Sequence, residues 1–398
     1  VSRLSRLSPL FLFITASFFM GLYGGLYEPS FNNYLAQVHH ISEIARGGLE
    51  FPRELPGFLM AFILALLIFL PDTRIALLAA AMVGFSLWGQ GFLAPNMRMV
   101  VFWMLLWSTG QHLFMVLKSS VALRLAEPGH EGRTLGTIGA MEAGGALLGM
   151  LLVYFGVSYF HFSFPVIFGL GGSFALLAAL ILFPIKPEPM KRPPHYLLFK
   201  KRYTLFYLLN VLFGARKQIF LTFGPWVLIQ IFHCEVSTFA ILGLVGTGFG
   251  LFFRPWLGRA IDDWGEKIIL ALEAIVLIAI CLLYAFSIRW FSAPLALLVI
   301  MACYVTDQLL FAVSMARTTY LNRIAESSDD IAPTLSMGVT IDHAVSMVVP
   351  LGGGLLWAHY GFEWVFLAAT VIALGNLVAA FFLPAHALQP DTAPDASA

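Results

Sequence analysis

The stretch Pro184–Arg202, PIKPEPMKRPPHYLLFKKR, decides how the chain is to be read. It holds five prolines and six Lys or Arg and lies near the middle of 398 residues. Proline removes a backbone donor and clashes with the preceding turn, so no helix runs through such a segment. On both sides the sequence is long apolar runs. Hydrophobic residues make up 59% of the chain and charged residues 11%, against about 25% charged in a soluble domain. So little charge cannot cover a water-facing surface, and much of this surface must face lipid. A net charge of +1 gives no attraction to nucleic acid, and Cys234, Cys281 and Cys303 make no disulfide framework.

A spanning helix needs roughly 20 apolar residues, because about 30 Å of hydrocarbon is crossed at 1.5 Å per residue. Breaking the chain at charges, Pro and Gly predicts twelve spans, near 9–36, 44–70, 75–93, 98–125, 134–157, 164–183, 203–232, 237–256, 268–288, 293–323, 333–359 and 363–383. The expected fold class is therefore an all-α polytopic membrane protein, its twelve helices forming two pseudo-symmetric six-helix bundles. The expected divisions are an N-terminal bundle (1–183), a basic cytoplasmic linker (184–202), a C-terminal bundle (203–383) and a disordered cytoplasmic tail (384–398). Arg3 and Arg6 precede the first apolar run with no short cleavage site after it, so the first span is expected to be kept. With both termini in the cytoplasm, fifteen of the 23 Lys and Arg fall on that side, which is the positive-inside pattern.

The halves repeat one another. A shift of 193 residues sets Gly21 on Gly214, Leu35 on Leu228, His40 on His233 and Gly57 on Gly250. A shift of 197 sets Thr109 and Gln111 on Thr306 and Gln308. Three further residues bring Thr134 onto Thr334 and Glu142 onto Asp342. Parallel repeats of this kind describe a transporter whose substrate sits between the halves near the bilayer midplane.

Between spans 8 and 9 stands Gly258-Arg-Ala-Ile-Asp262-Asp-Trp-Gly265-Glu-Lys267. With the twelve spans and the repeat, this loop resembles the signature of the major facilitator superfamily, from about Leu7 to Leu383. The resemblance implies alternating access and a central cavity lined by spans 1, 4, 7 and 10. It also implies that Gly258, Asp262, Gly265 and Lys267 serve gating, with Asp262 capping a helix or pairing across the halves; a tight turn with solvated charges is the alternative. The corresponding loop of the first half is degenerate (Ala65, Phe69, Asp72, Arg74), and span 5 (Gly139–Gly145) lacks the Gly-Pro pattern of antiporters.

Ionisable groups within spans cost several kcal/mol unless paired or wet, so they are the functional candidates. Arg216 and Lys217 lie mid-span in span 7 and would attract a carboxylate, phosphate or sulfonate; pairing with Glu28 or Asp307 is the structural alternative. Gly21, Gly25, Glu28 and Asn32 form one stripe on span 1. Gln111 and Lys118 share a face of span 4 with His112 one step round, and Asp307 and Gln308 take the matching place in span 10. The expected substrate site is thus Arg216, Lys217, Glu28, Asn32, Gln111, His112, Lys118, Asp307 and Gln308. Glu28, Glu142 and Asp342 are the proton-coupling candidates, since a carboxyl group in low dielectric can exchange a proton near neutral pH. In span 2, Arg46, Glu50 and Arg53 form a ladder of alternating sign beside Glu54, with Pro52 and Pro56 expected to kink it. These four charges are either an outer gate or a wet interfacial helix. Glu273 lies within two turns of a span end and is expected to reach water.

The expected function is secondary active transport of a small anionic or zwitterionic organic solute across the bacterial inner membrane, coupled to protons, by a monomer embedded in the lipid bilayer. The alternatives are an exporter of amphipathic compounds or lysolipids, a metal-ion transporter using His39-His40 and His233-Cys234, and a non-transporting receptor. No phosphate loop, nucleophile–base pair or His-x-x-x-His helix is present, so neither an enzyme nor a cofactor is expected, no resident metal site is assigned, and no nucleic acid partner follows.

Overall fold

The computed structural model describes residues 8–127, 129–186 and 197–384, so most of the basic linker and the tail beyond 384 lie outside the described residues. The described chain is helical throughout, with no strand among the described residues. Its helices are α1 (Pro9–Gln37), α2 (Glu43–Gly48), α3 (Glu50–Phe58), α4 (Met60–Leu66), α5 (Asp72–Phe92), α6 (Met97–Leu125), α7 (Glu131–Phe160) and α8 (Phe164–Leu182). The second half holds α9 (Thr204–Gln230), α10 (Val236–Trp290), α11 (Ala293–Leu310), α12 (Ser314–Ile324), α13 (Ser328–Tyr360) and α14 (Phe362–Phe381).

Nine of these segments are long and apolar enough to cross a membrane by length and composition. The twelve expected spans are recovered once three features are read. Helix α10 is two spans joined at Gly265, whose φ of 80° is the one break in its backbone. Span 2 is the series α2, α3 and α4. Span 7 is α9, whose apolarity is interrupted by Arg216, Lys217 and Gln218.

Local sequence explains where helices start and break. Ser8, Ser42 and Asn96 are N-caps, accepting from the backbone N–H of Phe11, Ala45 and Met99 at 3.1, 3.3 and 3.2 Å. The break between α2 and α3 comes where Pro52 cannot donate to the Gly48 carbonyl and its ring crowds it. At Gly265 the chain needs a conformation that L-residues resist, which gives the second glycine of the Gly258–Lys267 loop a steric reason. Span 10 breaks in a 3₁₀ turn at Phe311–Val313, between α11 and α12.

The repeat read from sequence is a repeat of contacts. Gly21 on α1 packs against the backbone of Glu142 on α7, so closely that a Cβ would land on the Glu142 carbonyl. Gly214 on α9 packs against Asp342 on α13, where a Cβ would meet the carboxylate Oδ1 first and then the backbone carbonyl. His40 and His233 both adopt left-handed backbone just after α1 and α9, with φ of 47° and 56°.

An even number of spans puts the start of α1 and the end of α14 on one side, the near face; loops such as 38–42 and 231–235 lie on the far face. In the far half the bundles touch. Gly47 packs on the Pro350 backbone, Gly354 on that of Glu43, and Gly243 on Met150. Toward the near face α7 and α10 part, leaving an opening of about 470 Å³ with Gly136, Gly139 and Ala143 on one wall and Thr247, Gly250 and Arg254 on the other.

Candidate functional site

A cavity of about 510 Å³ lies between the two bundles, within the size range of small-molecule sites. Tyr27, Glu28, Phe31 and Asn32 of α1 line one side. Phe220 and Leu221 of α9, Phe239 and Arg254 of α10, and Tyr304, Asp307, Gln308 and Phe311 of span 10 line the other. Arg53 of α3 and Met150 of α7 complete it. Spans 1, 7 and 10 contribute as the resemblance implied; no residue of span 4 is among the lining.

The charges of this cavity fall into two kinds. Asp307 and Arg53 are already engaged. Asp307 lies 3.4 Å from Arg216 Nη1, and Arg53 holds both oxygens of Glu50 at 3.1 and 3.2 Å. Glu28 and Arg254 are exposed to the cavity, and among the described residues neither has a hydrogen-bond or ion-pair partner. Arg254 was not among the residues singled out from sequence, because at the end of a span's apolar stretch it reads as an interfacial charge.

The stripe on α1 divides. Gly21 and Gly25 are packing residues, with the Glu142 and Ala146 carbonyls where their Cβ atoms would be. Glu28 and Asn32 face the cavity, and Asn32 Oδ1 also accepts from Arg46 Nε at 3.0 Å. Five of the nine expected site residues do not line it: Arg216 and Lys217 of span 7, and Gln111, His112 and Lys118 of span 4. Arg216 is 2% exposed and sits in a closed cluster with Asp307, Glu273 (3.6 Å) and the rings of Phe311 and Phe213. Lys217 is bound to Asp342 at 2.7 Å. In span 4, Lys118 is paired with Glu142, and Gln111 accepts from the Tyr23 hydroxyl.

Glu273 does not reach water. It is 2% exposed and stands between Arg216 and Arg317, the latter at 4.0 Å. Distance from a helix end says how far a side chain must travel to water, but here α10 turns that face inward and no travel is possible. Glu142 and Asp342 hold equivalent positions, yet their lysines come from different helices, α6 for Glu142 and α9 for Asp342.

The span 2 ladder is dry. Arg46, Glu50 and Glu54 are 1%, 0% and 5% exposed, which removes the reading of a wet interfacial helix. Arg46 reaches Glu50 at 2.5 Å. Two further contacts tie this helix to the other bundle: Gln218 of α9 donates to Glu50 Oε2 at 2.5 Å, and His343 Nδ1 of α13 lies 2.7 Å from Glu54 Oε2. A third, Asn33 Nδ2 to the Cys234 carbonyl at 2.9 Å, joins the bundles at the far ends of α1 and α9. On the near face Asp262 is exposed and pairs with no base among the described residues, while Glu266 takes Arg323 at 2.9 Å. Gly258 has open space around it, and Lys267 donates to the Phe381 carbonyl at 2.9 Å.

The Major Facilitator Superfamily profile matches residues 54–341. The chain belongs to the major facilitator superfamily. As a member it is a secondary transporter and not an enzyme. Solved structures of the same fold cover nearly its whole length. The nucleoside transporter NupG aligns with a TM-score of 0.73 at 14% identity, covering 94% of this chain and 98% of that one. A D-xylose-proton symporter gives 0.67 at 15%, covering 94% and 96%. A bacterial homologue of the human lysosomal transporter Spinster, in an inward-facing and unoccupied conformation, gives 0.67 at 13%, covering 94% and 96%. At such identities the likeness is one of fold. No curated protein matches the chain by sequence.

Proposed function

We propose that this superfamily member moves a small zwitterionic or anionic organic solute through the cavity between its bundles, with Glu28 carrying the coupled proton. The observation that supports this is a pair of charges: Glu28 and Arg254 both line the cavity, and neither has a hydrogen-bond or ion-pair partner among the described residues. A charge held in a low-dielectric site without a partner is costly, and a solute bearing an ammonium and an acid group would satisfy both. Asn32, Gln308 and Tyr304 supply polar atoms around it, and Phe31, Phe220, Phe239 and Phe311 supply apolar wall. Asp307 contributes through its pair with Arg216 and does not offer a free charge. Lys217, Lys118, Gln111 and His112 support the surrounding helices.

In this reading the bundles 1–183 and 203–383 rock about the site in a bacterial inner membrane, and the positive-inside pattern supports a cytoplasmic near face. The far gate is then the outer gate, built from Arg46, Glu50, Arg53 and Glu54. Protonation of Glu28 would leave Arg254 as the free charge of the cavity, open to an anionic group. Protonation of Glu142 or Asp342 would free a lysine, which makes them second carriers.

One observation favours a second reading. The near-side opening between α7 and α10 reaches Arg254, so an amphipathic anion such as a lysolipid could seat its headgroup there with its tail between the helices.

The test uses proteoliposomes loaded with a pH-sensitive dye and challenged with amino acids, organic acids and amines. Proton movement driven by one zwitterion or acid class, lost in Glu28→Gln while solute exchange persists, supports the proposal. Solute movement with no proton flux in the wild type refutes the coupling.

A further inference from the structure

We propose that Glu54, His112 and His343 form a binding site for a divalent transition-metal ion that bridges the two bundles and holds the far gate shut. The three residues come from α3, α6 and α13, and their ligating atoms all lie within 4.8 Å of one another. Two imidazoles and a carboxylate with a position left open is the donor set of Zn²⁺ and its neighbours in the series, not of Mg²⁺ or Ca²⁺.

The orientation of the rings supports the assignment. His112 Nδ1 lies 2.8 Å from the Ser108 carbonyl, so this nitrogen carries the proton and Nε2 presents its lone pair. Anchoring one ring nitrogen on a carbonyl while the other binds is how proteins orient metal-ligating histidines. Gly57 shows where the rings converge. A Cβ there would sit 2.7 Å from His343 Nδ1 and 2.8 Å from His112 Nε2. The missing side chain leaves a gap bordered by both nitrogens, and His343 Nδ1 is also the atom that meets Glu54 Oε2. Bonds of about 2.1 Å at tetrahedral angles need donors about 3.4 Å apart, so the ion displaces to solvent the proton shared by His343 Nδ1 and Glu54 Oε2, that pair opens slightly, and His112 moves in by about an ångström. Of the nearby cations, Arg53 is paired with Glu50 and Lys217 with Asp342, so neither occupies a Glu54 oxygen. Half-buried His112 leaves a way in.

The consequence is conformational. Glu54 and His112 belong to one bundle and His343 to the other, so opening the far side pulls the site apart. An ion that binds only the closed arrangement shifts the population toward it. The ion therefore acts as an inhibitor of the transport cycle whatever the solute, and the site is separate from the central cavity.

The experiment is titration of tag-free protein with Co²⁺, read by its visible ligand-field absorption, and with Zn²⁺, read by melting temperature and by spin-label distances across the far face. His112→Ala is the decisive variant because it leaves the Glu54–His343 contact in place; His343→Ala and Glu54→Gln accompany it. The expected result is a tetrahedral Co²⁺ band displaced by Zn²⁺, affinity weakened at least about tenfold in His112→Ala, and far-side distances narrowed by Zn²⁺. Absence of the band in the wild type, or an unchanged affinity in His112→Ala, overturns the site. Binding that leaves the distances unaltered overturns the lock.

Discussion

Gln218 of α9 donates its side-chain amide to Glu50 of α3 at 2.5 Å, and both residues are fully buried. The contact crosses from one bundle to the other and uses the carboxylate that already holds Arg46 and Arg53. Alternating access requires this contact to break, because α9 and α3 must separate when the far side opens.

Gln218→Leu should therefore favour the far-open state. A hydrogen bond to a charged group is worth about 1.5–3 kcal/mol, which corresponds to about a ten- to hundredfold change in the ratio of the two states. Spin labels at Val38 and Glu235, both exposed on the far face, would report a larger fraction of long distances. An unchanged distribution would remove Gln218 from the gate.

The two glycine seats predict a matched pair of phenotypes. Gly21→Ala and Gly214→Ala each drive a methyl group into the partner residue, Glu142 or Asp342, and should cost about 1–3 kcal/mol. Gly24→Ala, three residues along α1 with nothing within 4 Å of its Cβ position, should be neutral. Melting temperatures of the three purified variants check this directly.

Arg216 is a test of structure against binding. Glu273→Gln leaves a buried guanidinium short of one carboxylate, with Asp307 as its remaining partner. Breaking a buried pair by removing one member costs about 3–5 kcal/mol. Glu273→Gln and Arg216→Ala should both melt early, while a solute that still binds the folded fraction of Arg216→Ala with near wild-type affinity would confirm that Arg216 does not contact it.

Much of this was legible in the sequence, and the physical reasons for the limits are specific. Gly21, Gly214, Glu142 and Asp342 were found as repeat matches, and they meet in space because each glycine is where a neighbouring helix bears its acid. Gly265 was found as part of a loop signature, and its positive φ explains the residue type. Side-chain direction was harder. In a helix that is apolar all round, no amphipathic pattern marks the inward face, so the sequence leaves Arg216 open between a cavity cation and the partner of Asp307 that it is, and points Glu273 to water. The partners Gln218 and His343 lie 168 and 289 residues from Glu50 and Glu54, and no local spacing announces a contact made only when two bundles close. Arg254 stands at a span end, where a charge reads as interfacial, and no sequence pattern shows that the bundles part beside it.

The most direct test of the central claim is thermal stabilisation of purified protein by a panel of amino acids, other zwitterions, organic acids, lysolipids and apolar cations. The wild type, Glu28→Gln and Arg254→Gln would be compared. The predicted result is a rise in melting temperature with one zwitterion or acid family, weakened about ten- to hundredfold in affinity in Arg254→Gln. For zwitterions it should weaken in Glu28→Gln as well. Stabilisation by apolar cations alone, indifferent to both substitutions, would contradict the assignment of Glu28 and Arg254 to the solute.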